Sequence, residues 1–281
     1  MMETIVILLL FLAVAYPALR YLIFILSNHQ SGELPEVRQQ LGGLFKPVMR
    51  GAATAGLADL MVLPTYPLGL MGGRESMGSG TPILLVHGLF HNSSAWLVMK
   101  QRLKKAGYDN LHTYQYNSFT GEFPQAVDGL HRKLDSLLQQ SPSRKVILVG
   151  HSLGGLVIRA AVGNPRFWGK IAGMVALGTP HGGSDLARFG GNRMARGLIP
   201  GREIMTMADG APQPDCPKLA IFNPVDDFVF PLHTLLPPEG WSKKVCSPMG
   251  HVWMLYSREI ADMLINFLSE VLEEENREAA S

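Results

Sequence analysis

Cysteine is nearly absent from this chain: only Cys216 and Cys246 occur in 281 residues. Two thiols cannot build a disulfide framework, so an apolar core must hold the fold. The two could bond to each other, but buried free thiols are the default expectation. Charge is also scarce. Charged residues are 17% of the chain and the formal net charge is +2, which excludes strong electrostatic steering toward nucleic acid. The chain has no basic cluster, no zinc-finger spacing, no internal repeat and no group of carboxylates that would announce a calcium site. Neither a metal nor an organic cofactor is expected.

What charge there is avoids the N-terminus. Residues 4–26 are apolar except for a few positions, among them Pro17 and Arg20, and that length suits a membrane-spanning helix. A cleaved signal peptide needs a basic start, a shorter apolar core and a small-residue cleavage site. Met1-Met2-Glu3 and Ile25-Leu26-Ser27-Asn28 supply none of these, so an uncleaved anchor is favoured. Arg20 is expected to snorkel to the interface. The alternative is a hydrophobic helix that docks on the protein itself or on another subunit. Arg20, Arg38, Lys46 and Arg50 follow the span and nothing basic precedes it. By the positive-inside rule the remainder stays on the cytoplasmic side, of a bacterial inner membrane if the source is bacterial.

Residues 36–63 show helical spacing of apolar side chains, with Val37, Leu41, Leu44, Phe45, Val48 and Met49 on one stripe. Glycines within 51–56 and Asp59 argue against a second span. Pro64, Pro67 and the glycines of 69–80 suggest a linker. The domain division is therefore an anchor at 1–27, a juxtamembrane helical segment and linker at 28–79, one large domain at 80–271, and an acidic tail at 272–281.

Within the large domain, apolar runs at 82–86, 146–149, 173–177 and 218–223 alternate with helical stretches near 94–106, 124–139 and 153–163. That alternation predicts the α/β class, with a mostly parallel central sheet and helices on both faces. Trp96, Leu97, Met99 and Leu103 form a helical stripe expected in the core. Tyr114, Tyr116 and Phe119 follow a further strand, and packing is their default role. Residues 185–215 carry Phe189, Met194, Leu198, Ile204, Met205 and Met207 among glycines; they form either a lid or an ordinary surface helix pair.

The chemistry concentrates at Gly150-His151-Ser152-Leu153-Gly154. An apolar strand, Val146–Val149, runs straight into it and a helical stretch follows. Strand, sharp turn and helix around G-x-S-x-G is the setting of a nucleophilic serine. Such a serine needs a histidine to take its proton, a carboxylate to hold that histidine, and donors for the oxyanion. In this architecture the order along the chain is serine, acid, histidine. Asp226 and Asp227 follow the strand ending near Asn223. Asp226, the first of them, is taken as the acid and Asp227 as the turn cap, though position leaves both available. Of nine histidines, His87, His151 and His181 sit inside turn motifs, while His29, His112, His131 and His233 have no supporting motif. His251 lies downstream of the acid, before the helical run 254–272. The expected triad is Ser152, Asp226 and His251. The backbone N–H of Leu153 supplies one oxyanion donor, and Leu89, after the strand and His87-Gly88, the second.

These residues resemble the serine lipases and esterases of the α/β-hydrolase superfamily. The matches are His87-Gly88, the elbow at 150–154, and Gly178-Thr179-Pro180-His181-Gly182-Gly183-Ser184, a run similar to that of the bacterial lipase branch. The resemblance covers roughly residues 80–271. It implies an α/β-hydrolase fold and a carboxylic-ester hydrolase, an esterase or triacylglycerol lipase, acting on a small-molecule acyl ester or lipid. Thioesterases and acyltransferases share the same site, and a non-catalytic membrane scaffold is the remaining alternative.

Overall fold

The computed structural model describes residues 2–71, 77–141 and 143–280. Six strands, β1 (Ile83–Val86), β2 (Leu111–Tyr114), β3 (Val146–His151), β4 (Ile171–Leu177), β5 (Lys218–Phe222) and β6 (Ser242–Val245), form one sheet in the order β2-β1-β3-β4-β5-β6. Every neighbouring pair is parallel. Central strands buried on both sides must be apolar throughout, and β1, β3 and β4 are buried at every position. Their side chains alternate between two cores. Leu84, Val86, Leu148, Met174 and Ala176 face one layer, and Ile83, Leu85, Ile147, Val149 and Val175 face the other.

The N-terminal segment comes first in the chain as α1 (Met2–Leu10), a π-helical turn at Phe11–Ala15 and α2 (Tyr16–Gln30). Then come α3 (Leu34–Gln40) and α4 (Phe45–Leu70). Within the sheet domain follow α5 (Leu97–Lys105), α6 (Phe123–Gln140), α7 (Leu153–Val162), α8 (Arg193–Gly197), α9 (Glu203–Asp209) and α10 (Arg258–Ala280). Helices α6 and α7 bury Leu130, Leu134, Leu156 and Val157 on one face of the sheet. Helices α5 and α10 bury Met99, Leu103, Leu264 and Leu268 on the other. The chain leaves β1 outward to β2 and returns to β3 on the opposite side of β1. A reversal of this kind opens a crevice at the carboxyl ends of the strands, here between β1 and β3.

One expectation changes in the segment before the sheet. Pro64 and Pro67 do not begin a linker; they lie inside α4, which continues to Leu70. Residues 72–76 of the expected linker lie outside the described residues. The glycines of 51–56 lie within the same helix. They are the points where helices touch: a Cβ on Gly56 would lie 2.1 Å from the Ala13 carbonyl oxygen. The Cα of Ala55 in turn sits where a Cβ on Gly250 would be, at 2.7 Å. Helix α4 thus packs on the N-terminal helix and on the loop before His251.

The residues Val6–Gln30 make a helix long and apolar enough to cross a membrane. Its second half is also docked. Pro17, Arg20, Tyr21, Phe24, Ser27 and Asn28, at helical spacing, are buried, while Leu19, Leu22 and Leu26 on the other face stay half exposed. The Tyr21 hydroxyl donates to the Val225 carbonyl at 2.9 Å, Ser27 Oγ donates to Asp185 at 2.7 Å, and Asn28 Oδ1 accepts from Leu232 N at 3.0 Å. Phe24 meets Phe230 edge-on. Arg20 does not snorkel: it is 1% exposed.

The insertion joins the main core. Met194, Leu198, Ile204, Met205 and Ala208 are buried there, and Phe189 alone of its large apolar residues projects strongly, at 72% exposure. Cys216 and Cys246 are free thiols. Replacing Gly56 by Val forces a side chain into the Ala13 backbone, and overpacking of this kind costs about 1–3 kcal/mol. Thermal unfolding should report that loss, whereas Gly191→Ala, whose Cβ meets open space, should unfold with the unaltered chain. Equal melting of both variants would refute the close contact.

Candidate active site

Ser152 sits between β3 and α7 with φ 55° and ψ −129°. A non-glycine residue held there stores about 1–3 kcal/mol of strain, which the surroundings must enforce. They do so through close backbone contacts. A Cβ on Gly154 would lie 2.2 Å from the Val86 carbonyl oxygen, so α7 can start only against bare backbone at the end of β1. Ser152 N donates to the Leu177 carbonyl at 2.8 Å, tying the turn to β4. Leu153 opens α7, where N–H groups have no acceptor within the helix and the helix dipole favours negative charge. The loop after β1 passes directly beside the serine: a Cβ on Gly88 would stand 2.8 Å from the Ser152 Cβ. Leu89 follows in that loop, half buried.

The two aspartates take different partners. Asp226 and Asp227 are both fully buried in the turn after β5. Asp226 Oδ1 accepts from the N–H groups of Phe228 and Val229, each at 2.9 Å. Its Oδ2 faces His251 Nδ1 at 2.7 Å. With Nδ1–H donating to the carboxylate, Nε2 is the basic nitrogen, and it has no hydrogen-bond partner among the described residues. Asp227 Oδ1 instead accepts from the backbone N–H of His251 at 2.7 Å. It does more than cap a turn. Burial pushes its carboxyl up, and the Arg20 guanidinium, with Nε 2.9 Å from Oδ2 though its N–H is not aligned on it, opposes that rise.

Ser152 and His251 both border the carboxyl end of β4, with no hydrogen bond between the serine hydroxyl and His251 Nε2. Gly178 follows Leu177, to which Ser152 is bonded, and a Cβ on Gly178 would lie 3.1 Å from the His251 ring. The His151 ring stands 4.6 Å from that of His251, and its Nε2 lies 3.2 Å from the His251 carbonyl. Burial first, and the nearby His251 second, hold His151 well below the usual histidine range. It is therefore neutral beside His251 at physiological pH. Burial likewise brings His87 and His91 down to about 4 and His181 to about 3. His87 stacks on Tyr116 at 4.4 Å, and the Tyr116 hydroxyl donates to the His87 carbonyl, so Tyr116 braces the loop. Phe119 lies 5.2 Å from Phe90, and both are more than 40% exposed beside this loop. Tyr114 donates to the Ala126 carbonyl.

Arg20 and Asp59, which the sequence offers only as marks on the membrane helix and the segment after it, lie next to the site. Arg20 Nη2 donates to Asp59 Oδ2 at 2.7 Å, joining α2 to α4 behind Asp227. The signal was present as a charged residue on the stripe 17, 20, 21, 24, 27 and 28, but its partners lie 39 and more than 200 residues away.

The chain belongs to the alpha/beta hydrolase family, whose model matches residues 83–274. Over 131 residues it is 28% identical to the GPI inositol-deacylase of Candida albicans, covering 39% of this chain and 34% of that protein. Over 105 residues it is 31% identical to the probable esterase PIR7A of Oryza sativa subsp. indica, covering 35% of this chain and 38% of that one. The chain thus spans little more than a third of the curated relatives it matches. Among solved structures, the mature Bacillus licheniformis lipase BlEst2 is similar with a TM-score of 0.56 at 20% identity, over 72% of this chain and 96% of that one. Aspergillus fumigatus lipase B gives 0.54 at 16% identity, over 70% and 55%. Likeness at these identities shows the shared fold.

The buried neutral histidines make stability depend on pH. Unfolded, they titrate near 6.5, and folded, His87, His91 and His181 titrate near 4 or below. Between those values the unfolded chain binds protons that the folded chain does not, so stability is full above pH 6.5 and falls toward pH 4. Each such histidine contributes a slope of up to about 1.4 kcal/mol per pH unit. Asp59, pushed up to about 6 by burial, and Asp227, also pushed up, work in the opposite direction but are outnumbered. Urea unfolding at pH 7.5 and pH 5 should show a clear loss at the lower value; equal midpoints would contradict this account.

Proposed function

We propose that the chain is a serine carboxylic-ester hydrolase acting through an acyl-enzyme on Ser152. The observation that carries this is the His251 imidazole, fixed at Nδ1 by Asp226 at 2.7 Å and left without a partner at Nε2, at the same sheet edge as a serine in a strained turn. His251 Nε2 takes the Ser152 proton as Oγ bonds to the ester carbonyl carbon. The carbonyl electron pair moves to oxygen, where the N–H groups of Leu89 and Leu153 receive it. Each such donor lowers the barrier by about 3–4 kcal/mol. Collapse expels the alcohol, which takes the proton back from His251, and water then repeats the sequence on the acyl-enzyme.

Apolar acyl esters or lipids are the proposed substrates. The N-terminal helix, as a membrane anchor over 1–27 whose second half also docks on the domain, carries exposed Val6, Ile7, Leu8 and Leu10 in its first half. Helix α4 beside it exposes Phe45, Met49, Leu57, Leu63 and Leu68, and the loops next to Ser152 expose Phe90 and Phe119. These surfaces suit a site held at a bilayer, with residues 28–79 capping the catalytic domain of 80–271 rather than spacing it from the anchor. The relative named GPI inositol-deacylase removes, by its name, an acyl group, which supports an acyl-ester substrate. Arg38, Lys46 and Arg50 favour the cytoplasmic side.

The test is hydrolysis of p-nitrophenyl esters from acetyl to palmitoyl by the full chain, with two variants. Ser152→Ala should abolish turnover, and Asp226→Asn should lower kcat by about 10⁴-fold, as expected when the orienting carboxylate is lost. Activity that survives Ser152→Ala would overturn the proposal. Labelling at Ser152 without turnover of any ester would replace it with thioester hydrolysis or acyl transfer.

A further inference from the structure

The N-terminal helix carries a buried cation that the ester chemistry above does not use. Arg20 makes an ion pair with Asp227 at 2.9 Å and a second with Asp59, Nη2 to Oδ2 at 2.7 Å and Nη1 to Oδ1 at 3.4 Å. Its guanidinium lies between two rings, 4.2 Å from the centre of Tyr16 and 4.5 Å from that of Phe228. Both partners of Arg20 on the Asp227 turn touch His251. Asp227 accepts the His251 backbone N–H, and the Phe228 ring stands 5.3 Å from the imidazole. The neighbouring residue is held from α4, since Gly250 N donates to Thr54 Oγ1 at 2.8 Å.

We propose that Arg20 is a positioning residue of the hydrolase: by pairing with Asp227 and stacking on Phe228 it sets His251, so the site is complete only with the N-terminal helix docked. This rests on the triad proposed above. The physical reason lies in Asp227. Fully buried, it holds the His251 N–H best as a carboxylate, because a bond to an ionised acceptor is about twice as strong as a neutral one. Burial favours the protonated acid, and Arg20 counters that. The planar guanidinium can do so while also forking onto Asp59 and lying over two rings, a combination that a single ammonium group does not match. The groups facing Asp227 are Arg20 and Tyr21 from α2, Asp59 from α4, and Asp226 and His251. His151 faces His251 from the end of β3.

The experiment uses the full chain in detergent micelles, with active sites counted by fluorophosphonate labelling of Ser152 carried to completion. Arg20→Met should lower kcat per labelled site by about 10²-fold, the cost of a catalytic group displaced by roughly 1 Å, and leave KM unchanged. Its acid limb of kcat/KM should move to higher pH. Without Arg20, Asp227 either keeps its proton to higher pH or, ionised, holds a proton on His251; both shift the limb the same way. Arg20→Lys should return the limb to its original position and recover part of kcat. Asp227→Asn removes the charge that Arg20 offsets, so adding Arg20→Met to Asp227→Asn should cost far less than the about 10²-fold it costs in the unaltered chain, the remainder being the lost contact with Phe228.

A merely structural arginine would reduce the labelled fraction and leave kcat per site and the pH limb in place, which overturns the proposal. It is overturned equally if the double variant loses the whole Arg20→Met factor on top of Asp227→Asn. Should Arg20→Met fail to fold, the comparison of Asp227→Asn with the double variant still decides, because neither carries an unpaired buried carboxylate at 227. Turnover by Ser152→Ala would instead refute the triad itself, whereas an inert Ser152→Ala beside a fully active Arg20→Met refutes only the role of Arg20.

Discussion

Two adjacent carboxylates buried in one turn constrain everything around them. Asp226 and Asp227 are both fully buried, and neither charge can remain there without partners. The structure solves this by sending them in opposite directions. Asp226 takes two backbone N–H groups and the His251 ring, while Asp227 takes the His251 backbone and Arg20. His251 is gripped at ring and main chain by neighbouring residues, and the second grip depends on a helix from the far end of the chain. Removing one partner of a buried ion pair generally costs about 3–5 kcal/mol, so the N-terminal helix is tied to the sheet by more than apolar contact.

The same constraint explains the composition of α4. To bring α2 close enough for Arg20 to reach both Asp59 and Asp227, helix–helix spacing must be short. Gly51 lies against Tyr21, Gly56 against the Ala13 backbone, and Ala55 against Gly250. Small residues that look like helix breakers in sequence are contact points in the fold. The outward faces of α2 and α4 keep their apolar side chains exposed, and these faces lie on the same helices whose inner sides support His251.

The sheet was legible because its signals are local. Strands buried on both sides must be continuous apolar runs, and β1, β3, β4 and β5 announce themselves that way. The turn at Ser152 was legible for the same reason, since glycines within two residues of it permit the close approach. Strand β6 is mostly exposed and gives a weaker pattern. The course of residues 64–70 was not legible, because two prolines ordinarily end a helix and only packing on the loop after β1 lets this one continue. Asn92 illustrates that packing: its side-chain amide donates to the Tyr66 carbonyl at 2.9 Å.

By itself the sequence determined the order of the candidate residues along the chain: a serine after one strand, acids after a later one, a histidine before the last helix. Apolar periodicity and glycine spacing act over a few residues, so they can be read along the chain. Only the tertiary structure decided which aspartate faces the imidazole ring, that four further histidines lie buried and neutral, and that Arg20 serves the sheet domain instead of the solvent interface. Those outcomes depend on desolvation and on charges brought together from positions as far apart as 20 and 227, and burial is a property of the folded chain alone.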